Sequence, residues 1–291
     1  MKFLKIIFSL LVPVLLSSCL SNDELGIEQY YENRDNGIAF LAANKSRETV
    51  KETASGLQYE ELSPGEGATA LARDIIKARY KYSLIDGTVV YDSQSLELDE
   101  IGYAQVNLFL NGITEGLQLM NLGSTYKFYI PYQLAYNEQM VGAVEPFSVL
   151  VLEVEMLKIG NEDSEFLKEN SLVDGVFETD SGLQYEILTE GEGVSANDAN
   201  YVRVNYTGTL IDGTQFDSTF VIVDDELIST PVTFNLGTLI PGFSESVRLM
   251  NEGSKYKVYI PFYLGYGSTV FPDIPAFSTL IFEIELLEII N

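Results

Sequence analysis

The chain repeats itself once, and this duplication limits its fold more than any other feature of the sequence. Ser55–Gly67 (SGLQYEELSPGEG) returns as Ser181–Gly193 (SGLQYEILTEGEG), 126 residues later. Further along, Leu119–Pro131 (LMNLGSTYKFYIP) returns as Leu249–Pro261 (LMNEGSKYKVYIP), now 130 residues later. A period of this length indicates two tandem domains rather than a solenoid of short repeats. The change in offset places a net four extra residues in the second copy.

Both copies show the same order of local patterns. In the second copy, Tyr201–Leu210 alternates apolar and polar residues as a half-buried strand does, and an Ile-Asp-Gly-Thr turn follows it. Phe243–Met250 has the apolar spacing of an amphipathic helix, whereas Lys255–Ile260 and Thr279–Ile289 are strand-like. Several strands with one helix predict an α+β fold, in which an antiparallel sheet wraps one short helix.

These patterns also set the boundaries that we predict for the parts of the chain. They are a signal peptide at 1–18, a flexible tether at 19–37, a first domain at 38–160, an acidic linker with a leader helix at 161–180, and a second domain at 181–291. With 46% apolar residues, the chain has enough material for a core in each domain. We therefore expect the two domains to fold separately.

The N-terminus has the features of an export signal. Lys2 and Lys5 precede a short apolar run, Ile6–Leu16, which is followed by small residues and then Cys19. The Leu-Ser-Ser-Cys sequence resembles a bacterial lipobox, which implies lipidation at Cys19; the alternative is an ordinary signal with an incidental cysteine. We expect a lipid anchor in a membrane of the cell envelope, preferably the outer membrane, facing the periplasm or the cell surface.

The composition excludes several classes of function. The chain has no His and one Cys, so Ser-His-Asp triads, Cys-His dyads, histidine metal sites and intramolecular disulfides are ruled out. A net charge of −26 argues against a nucleic-acid partner, because phosphates would be repelled. We expect no cofactor and no metal site.

The second copy carries the motifs of a known family. The ordered blocks VNYTGTLIDGTQFDST, FNLGTLIPGFSESVRLMNEGSKYKVYIP, YLGYG and PAFSTLIFEIELLEI resemble the FKBP-type peptidyl-prolyl cis/trans isomerase domain over nearly all of Ser181–Ile289. Ser55–Ile159 resembles the same domain more loosely. The resemblance implies a strongly curved sheet around one helix, an apolar pocket between them, and proline-containing unfolded or partly folded exported polypeptides as substrates.

Isomerisation of an X–Pro bond is chemistry that a chain without nucleophiles can perform. The barrier of about 18–20 kcal/mol comes from the partial double bond of the amide, and no σ bond breaks. A twisted amide has less charge separation than a planar one, so a dry aromatic pocket disfavours the planar ground state relative to the transition state. The 18 Tyr and 16 Phe supply such surfaces.

The resemblance also assigns roles to individual residues of the second copy. Asp217 is expected to pair with Tyr206, Tyr266 to hydrogen-bond the substrate, Ile240 to offer its backbone N–H, and Phe243 to form the pocket floor. The residues implied as catalytic are Tyr206, Phe216, Asp217 and Tyr266. The residues implied in substrate binding are Phe234, Leu239, Ile240, Phe243, Ile274 and Phe282.

The first copy departs from this pattern. Its pocket floor and wall have Ile113 and Leu152 instead of aromatic rings. The alignment takes one extra residue after Thr88 and finds no clear counterpart of the TFNLG segment in Tyr103–Leu108. We expect a shallow pocket with little activity. In this alignment, the counterparts of the four catalytic residues are Tyr80, Tyr91, Asp92 and Tyr136.

Two other classes of function compete with this interpretation. A peptide-binding or chaperone lipoprotein could keep the fold without turnover, and a proline-isomerisation assay on each copy separates it from an enzyme. A glycosidase would use paired carboxylates. The pair Asp224-Asp225 lies in an acidic insertion, which is typical of a solvated loop.

Overall fold

The computed structural model describes residues 24–196, 201–223 and 226–290. The chain divides into two compact units, Met1–Gly160 and Asn161–Asn291. The predicted signal peptide, 1–18, and the predicted lipidation site, Cys19, lie outside the described residues. No helix in the described part of the chain is both long enough and apolar enough to cross a membrane.

The first unit is an antiparallel sheet with one short helix packed on it. The strand order is β1-β2-β6-β7-β3-β4, and β5 pairs with the free edge of β3. The elements are α1 (Glu24–Asn44), β1 (Lys51–Glu52), β2 (Gln58–Ser63), β3 (Ile75–Leu84), β4 (Val89–Asp92), β5 (Ala104–Gln105), a 3-10 turn (Val106–Leu108), α2 (Asn111–Leu117), β6 (Thr125–Ile130), a second 3-10 turn (Tyr132–Leu134) and β7 (Leu150–Ile159).

The second unit repeats this topology, with the order β11-β10-β16-β15-β9-β8 and β14 paired with β10. Two further strands, β12 and β13, form a separate hairpin. The elements are α3 (Glu162–Asn170), β8 (Val176–Glu178), β9 (Gln184–Thr189), β10 (Tyr201–Thr209), β11 (Gln215–Ser218), β12 (Phe220–Val223), β13 (Glu226–Ser229), β14 (Val232–Asn235), a 3-10 turn (Leu236–Thr238), α4 (Pro241–Arg248), β15 (Lys255–Ile260), a 3-10 turn (Phe262–Leu264) and β16 (Leu280–Ile290). The predicted α+β class is confirmed.

The residues of α4, the central helix of the second unit, explain why this helix packs so closely on the sheet. Phe243, Val247 and Met250 are buried in one apolar cluster with the sheet residues Val258 and Ile284. Gly242 in α4 is required by this packing, because a Cβ there would lie 2.3 Å from the Ile260 side chain. Pro241 opens the helix at a position where its missing N–H costs nothing.

The described part of the region expected as a tether, 24–37, is helical, which corrects that prediction. Helix α1 begins at Glu24, and the Asn33 side chain donates hydrogen bonds to Pro146 O (2.7 Å) and Ser148 Oγ (3.1 Å). The Tyr31 ring stacks on Phe147 with centroids 5.8 Å apart. The helix mixes polar and apolar residues without a clean apolar stripe, so its sequence did not reveal that it packs on the first unit.

The region expected as a linker, 161–180, is the beginning of the second unit. Asn161 caps α3 by accepting a hydrogen bond from Ser164 N, and the Phe166 ring lies 5.8 Å from the Tyr259 ring. Asn170 donates to Gln184 Oε1 at 2.9 Å, as Asn44 does to Gln58 in the first unit. The leader helix is therefore an integral part of its unit.

Candidate active site

The second unit gathers aromatic rings between its sheet and α4. Tyr206 on β10 meets Phe243 of α4 edge-to-face, with centroids 5.7 Å apart, and Phe243 meets Phe282 of β16 at 5.2 Å. Phe234 lies 5.9 Å from Tyr206, and Phe216 lies 5.5 Å from Phe282. Edge-to-face pairs at such distances are favourable beyond the area that they bury. The five rings define the aromatic pocket of the second unit.

Gly208 makes this arrangement of rings possible. It lies opposite Phe282 on β16 and opposite Asp217 on β11. A Cβ at this position would approach the Phe216 and Phe282 rings to 2.7–2.8 Å, which is closer than van der Waals contact allows. Sequence reasoning did not single out Gly208, although a glycine inside a strand is a signal that other groups approach closely.

Asp217 and Tyr206 form the polar contact at the rim of the pocket. Tyr206 Oη donates a hydrogen bond to Asp217 Oδ2 at 2.5 Å, and Ser218 N donates to Asp217 Oδ1 at 2.9 Å. Burial raises the pKa of Tyr206 well above its usual value, and the Asp217 carboxylate raises this pKa further. Tyr206 is therefore a protonated donor at neutral pH.

Tyr266 lies on the loop that precedes β16. Its side chain is 36% exposed and packs on the Phe271 ring at 4.7 Å. Burial raises the pKa of Tyr266, and the charge of Asp217 adds to this effect. Within the described residues, its hydroxyl forms no hydrogen bond and can donate to a ligand. Phe271 was not predicted from the sequence, because an exposed loop residue has no periodic pattern.

The remaining predicted residues complete the same cluster. Leu239 and Ile240 are half-buried against the core, where Ile274 is also packed. Ile240 immediately precedes α4, and in the part of the chain that the structure describes its backbone N–H has no hydrogen-bond partner. All ten residues implied by the sequence resemblance thus lie in one unit, around one apolar site.

The hairpins of the two units have the same length, which corrects the alignment made from the sequence. Leu84 N donates to Thr88 O in the first unit, and Leu210 N donates to Thr214 O in the second. After the turn, Ser83 pairs with Val89 as Thr209 pairs with Gln215, so there is no extra residue after Thr88. The alignment was wrong because it matched Tyr91-Asp92 to Phe216-Asp217 by their similar side chains, which shifted the first copy by one residue.

The strand register shows which residues correspond. Tyr82 pairs with Tyr91 in the first unit, where Gly208 pairs with Asp217 in the second. Tyr91 therefore occupies the place of Asp217, and not that of Phe216 as the sequence suggested. By the same register, Asp92 corresponds to Ser218, and Val90 to Phe216.

The segment that the sequence left without a counterpart also has one. In the first unit, Ile76 pairs with Ala104, and in the second Val202 pairs with Phe234. Strands β5 and β14 are therefore equivalent, and Ala104 stands where the second unit has the Phe234 ring.

The first unit fills the equivalent space with its own tyrosines. The Tyr91 ring stacks on Tyr80 at 5.1 Å and on Tyr82 at 5.9 Å. Burial raises the pKa of Tyr80, as does its hydrogen bond with Tyr91. Asp92 does not reach this cluster as a partner of Tyr80; its Oδ2 lies 3.6 Å from Lys81 Nζ. The first unit thus has a tyrosine stack in place of a carboxylate at the pocket rim.

Comparison with known proteins identifies the family. The family described as FKBP-type peptidyl-prolyl cis-trans isomerase matches residues 67–157 and again residues 193–287. The chain belongs to the FKBP-type peptidyl-prolyl cis-trans isomerase family. A second match, to the domain amino terminal to FKBP-type peptidyl-prolyl isomerase, covers residues 21–60 of this isomerase and includes α1.

Two relatives, compared by sequence, agree with this membership. The isomerase is 34% identical to the FKBP-type isomerase FkpA of Aeromonas hydrophila over 258 residues, which cover 87% of this chain and 90% of the relative. It is 44% identical to the 22 kDa FKBP-type isomerase of Escherichia coli over 44% of this chain and 60% of the relative. The crystal structure of FkpA from Escherichia coli matches 47% of this chain and 63% of that chain, with 28% identity and a TM-score of 0.44.

Proposed function

We propose that the second unit carries the isomerase activity toward proline-containing exported polypeptides, and that the first unit contributes little or none. The observation that supports this division is a difference between the two units in one pair of residues that face each other on neighbouring strands. The second unit has Gly208 opposite Asp217, whereas the first has Tyr82 opposite Tyr91. The first combination leaves room for the Phe216 and Phe282 rings and places a carboxylate beside Tyr206, whereas the second places two stacked tyrosine rings at the same positions.

In this proposal the substrate proline lies on the Phe243 ring, between the rings of Tyr206 and Phe282. The rings exclude water from the X–Pro amide. Because the planar amide has more charge separation than the twisted one, loss of hydration raises the energy of the ground state more than that of the transition state. The effect requires no proton transfer and no covalent intermediate.

Polar groups at the rim then hold the peptide in position. The free N–H of Ile240 and the hydroxyl of Tyr266 are donors suited to carbonyl groups that flank the proline. Asp217 keeps Tyr206 oriented through their hydrogen bond. Fixing the flanking groups while the amide rotates lowers the entropic part of the barrier.

The first unit suits a role in peptide binding or in spacing. It keeps the sheet, the helix and the N-terminal α1, but its pocket has Ala104, Ile113 and Leu152 where the second unit has rings. The alternative of a non-catalytic binding module therefore applies to this unit rather than to the whole chain.

Activity measurements on each unit test the proposal. Catalysed cis-to-trans relaxation of a short Ala-Phe-Pro peptide is measured with the whole chain, with residues 24–160 and with residues 161–291. We expect residues 161–291 to retain most of the activity of the whole chain. Equal turnover by both units would contradict the division, and a folded second unit without turnover would contradict the catalytic role of its pocket.

We also propose that Cys19 is lipidated and anchors the protein to a membrane of the cell envelope, preferably the outer membrane. The lipobox-like sequence and the single cysteine support the anchor. A relative that is 42% identical over 43% of this chain, from Legionella longbeachae, bears the name outer membrane protein MIP. The Cys19→Ala variant should be released from membranes without detergent. A variant that is correctly processed and still fully membrane-bound would contradict the lipid anchor.

A further inference from the structure

The hairpin of β12 and β13 is a feature of the second unit alone. Val221 pairs with Ile228 and Ile222 with Leu227, and no other strand of the described residues pairs with either strand. In the first unit the equivalent chain forms turns after Ser93. The net four extra residues of the second copy therefore lie in the segment that forms this hairpin.

This hairpin exposes aliphatic side chains on both faces. Ile222 and Leu227 are 74% and 70% exposed as neighbours on one face, and Val221, Val223 and Ile228 are 41–46% exposed. A contiguous apolar surface is costly to leave in water and marks interaction sites.

The matching segment of the first unit lacks such a surface. Ile101 is buried there, and Leu98 is its exposed large aliphatic residue. The neighbouring residues Glu97, Asp99 and Glu100 are acidic. The aliphatic surface thus belongs to the unit that has the five-ring aromatic pocket and the Asp217 carboxylate.

The base of the hairpin is tied to the strand that carries Tyr206. Thr230 N donates to Thr219 O at 2.8 Å, and Ser229 Oγ donates to Asn205 Oδ1, also at 2.8 Å. Thr219 Oγ1 in turn accepts a hydrogen bond from Tyr206 N. The hairpin therefore begins at Phe220, three residues after Asp217, and is continuous with the rim of the aromatic pocket.

We propose that this hairpin is a second docking surface for the polypeptide substrate, and that it binds an extended, apolar, uncharged or basic segment near the target proline. The inference rests on the proposed function of the second unit. The two strands have free outer edges, to which an extended peptide can add by backbone hydrogen bonds while its side chains cover the aliphatic faces.

Charge favours this occupant over a second copy of the chain. Asp224 and Asp225 connect the strands in sequence, and Glu226 begins β13. A second copy would bring another chain with a net charge of −26 to this acidic segment. An unfolded segment without acids meets no such repulsion.

Docking at the hairpin raises the local concentration of the attached proline near the pocket. A long substrate can contact both surfaces, whereas a tetrapeptide fills only the pocket. The hairpin should therefore affect catalysis on unfolded proteins and leave catalysis on short peptides unchanged.

The test uses the full chain with Ile222→Ser and Leu227→Ser combined. Two probes are compared: a short Ala-Phe-Pro peptide, and a reduced, unfolded protein whose refolding is limited by one X–Pro bond. We expect kcat/KM for refolding to fall about tenfold, which corresponds to about 1.4 kcal/mol. Turnover of the short peptide should change by less than about twofold, or about 0.4 kcal/mol. Leu98→Ser in the first unit is the matched control and should change neither.

Each other outcome has a defined meaning. Unchanged refolding activity, or equal loss on both probes, would overturn the docking role. A wild-type chain that dimerises through the hairpin, with a monomeric double variant, would also overturn it in favour of a second copy. If the wild type fails on the short peptide, the proposed catalytic function fails, and binding of a permanently unfolded protein to wild type and variant then decides the docking role. Thermal unfolding of all variants checks that the fold is intact.

Discussion

The two units share a strand order and a register, but they fill the space between sheet and helix differently. In the second unit a glycine, Gly208, leaves room for two rings and faces a carboxylate across β10 and β11. In the first unit Tyr82 and Tyr91 take these two places and stack on each other. The comparison shows that two units with the same strand order and register can differ at a few positions on neighbouring strands, and that these positions determine which side chains fill the space between sheet and helix.

The largest effect should come from replacing Gly208 of the second unit by tyrosine, the residue type that the first unit has at the equivalent position, Tyr82. Gly208→Tyr forces a side chain into the space of Phe216 and Phe282. We expect a loss of about hundredfold in kcat/KM for an Ala-Phe-Pro peptide, about 2.7 kcal/mol, and a loss of about 1–3 kcal/mol in the free energy of unfolding through overpacking. Tyr82→Gly in the first unit is the matched control and should leave peptide turnover unchanged; a drop in turnover there would break the comparison.

A smaller effect is expected at the carboxylate. Asp217→Ala removes the acceptor of the Tyr206 hydroxyl. Hydrogen bonds to charged groups contribute about 1.5–3 kcal/mol, so we expect turnover to fall about tenfold or more. Asp92→Ala, whose carboxylate faces Lys81 instead, should have no effect on turnover. Full activity of the Asp217 variant would show that the rim carboxylate is dispensable.

The hydroxyl of Tyr266 should contribute less. Tyr266→Phe keeps the ring on Phe271 and removes one donor. One neutral hydrogen bond contributes about 0.5–1.5 kcal/mol, which predicts a fall in kcat/KM of about threefold to tenfold. The control is Tyr136→Phe at the corresponding position of the first unit. Equal losses from the two variants would indicate that both pockets turn over substrate.

The smallest effect concerns pH. The folded-state pKa of Tyr206 is raised above its usual value of 10.0, so the folded unit holds this proton more tightly than the unfolded chain. Its contribution to stability is fully present below pH 10 and is lost as the pH rises from there toward the folded-state pKa. Thermal unfolding of wild type and Tyr206→Phe should differ in slope only above about pH 10, where free tyrosine begins to ionise. Parallel curves throughout would contradict the shift.

The sequence predicted the fold class and family correctly, and the residues that it implied for the site lie together. The central helix was visible because Phe243, Val247 and Met250 have helical spacing. Corresponding residues of the two pockets were harder to find, because hydrogen-bonding register is a property of paired strands and not of one segment. The pairing of neighbouring strands in the structure showed that Tyr91, rather than Asp92, replaces Asp217.

Two other elements escaped prediction for different physical reasons. The region 24–37 lacks a clear apolar stripe, so helix α1 was taken for part of a tether. The hairpin β12–β13 was taken for an acidic loop because the pair Asp224-Asp225 dominated the pattern. Its flanking aliphatic residues were overlooked, because a strand with no packing partner need not alternate apolar and polar residues as a half-buried strand does.

The most direct test of the division between the units is a pair of truncations at the pocket floor of the full chain. Phe243→Ala removes the ring on which the proline is proposed to lie, and Ile113→Ala is the equivalent change in the first unit. Catalysed cis-to-trans relaxation of an Ala-Phe-Pro peptide is measured for both, with thermal unfolding to confirm that each folds. We predict a loss of about thirtyfold for Phe243→Ala, about 2 kcal/mol of transition-state stabilisation, and near wild-type turnover for Ile113→Ala. Full activity in a folded Phe243→Ala chain, or equal losses in the two variants, would contradict the account.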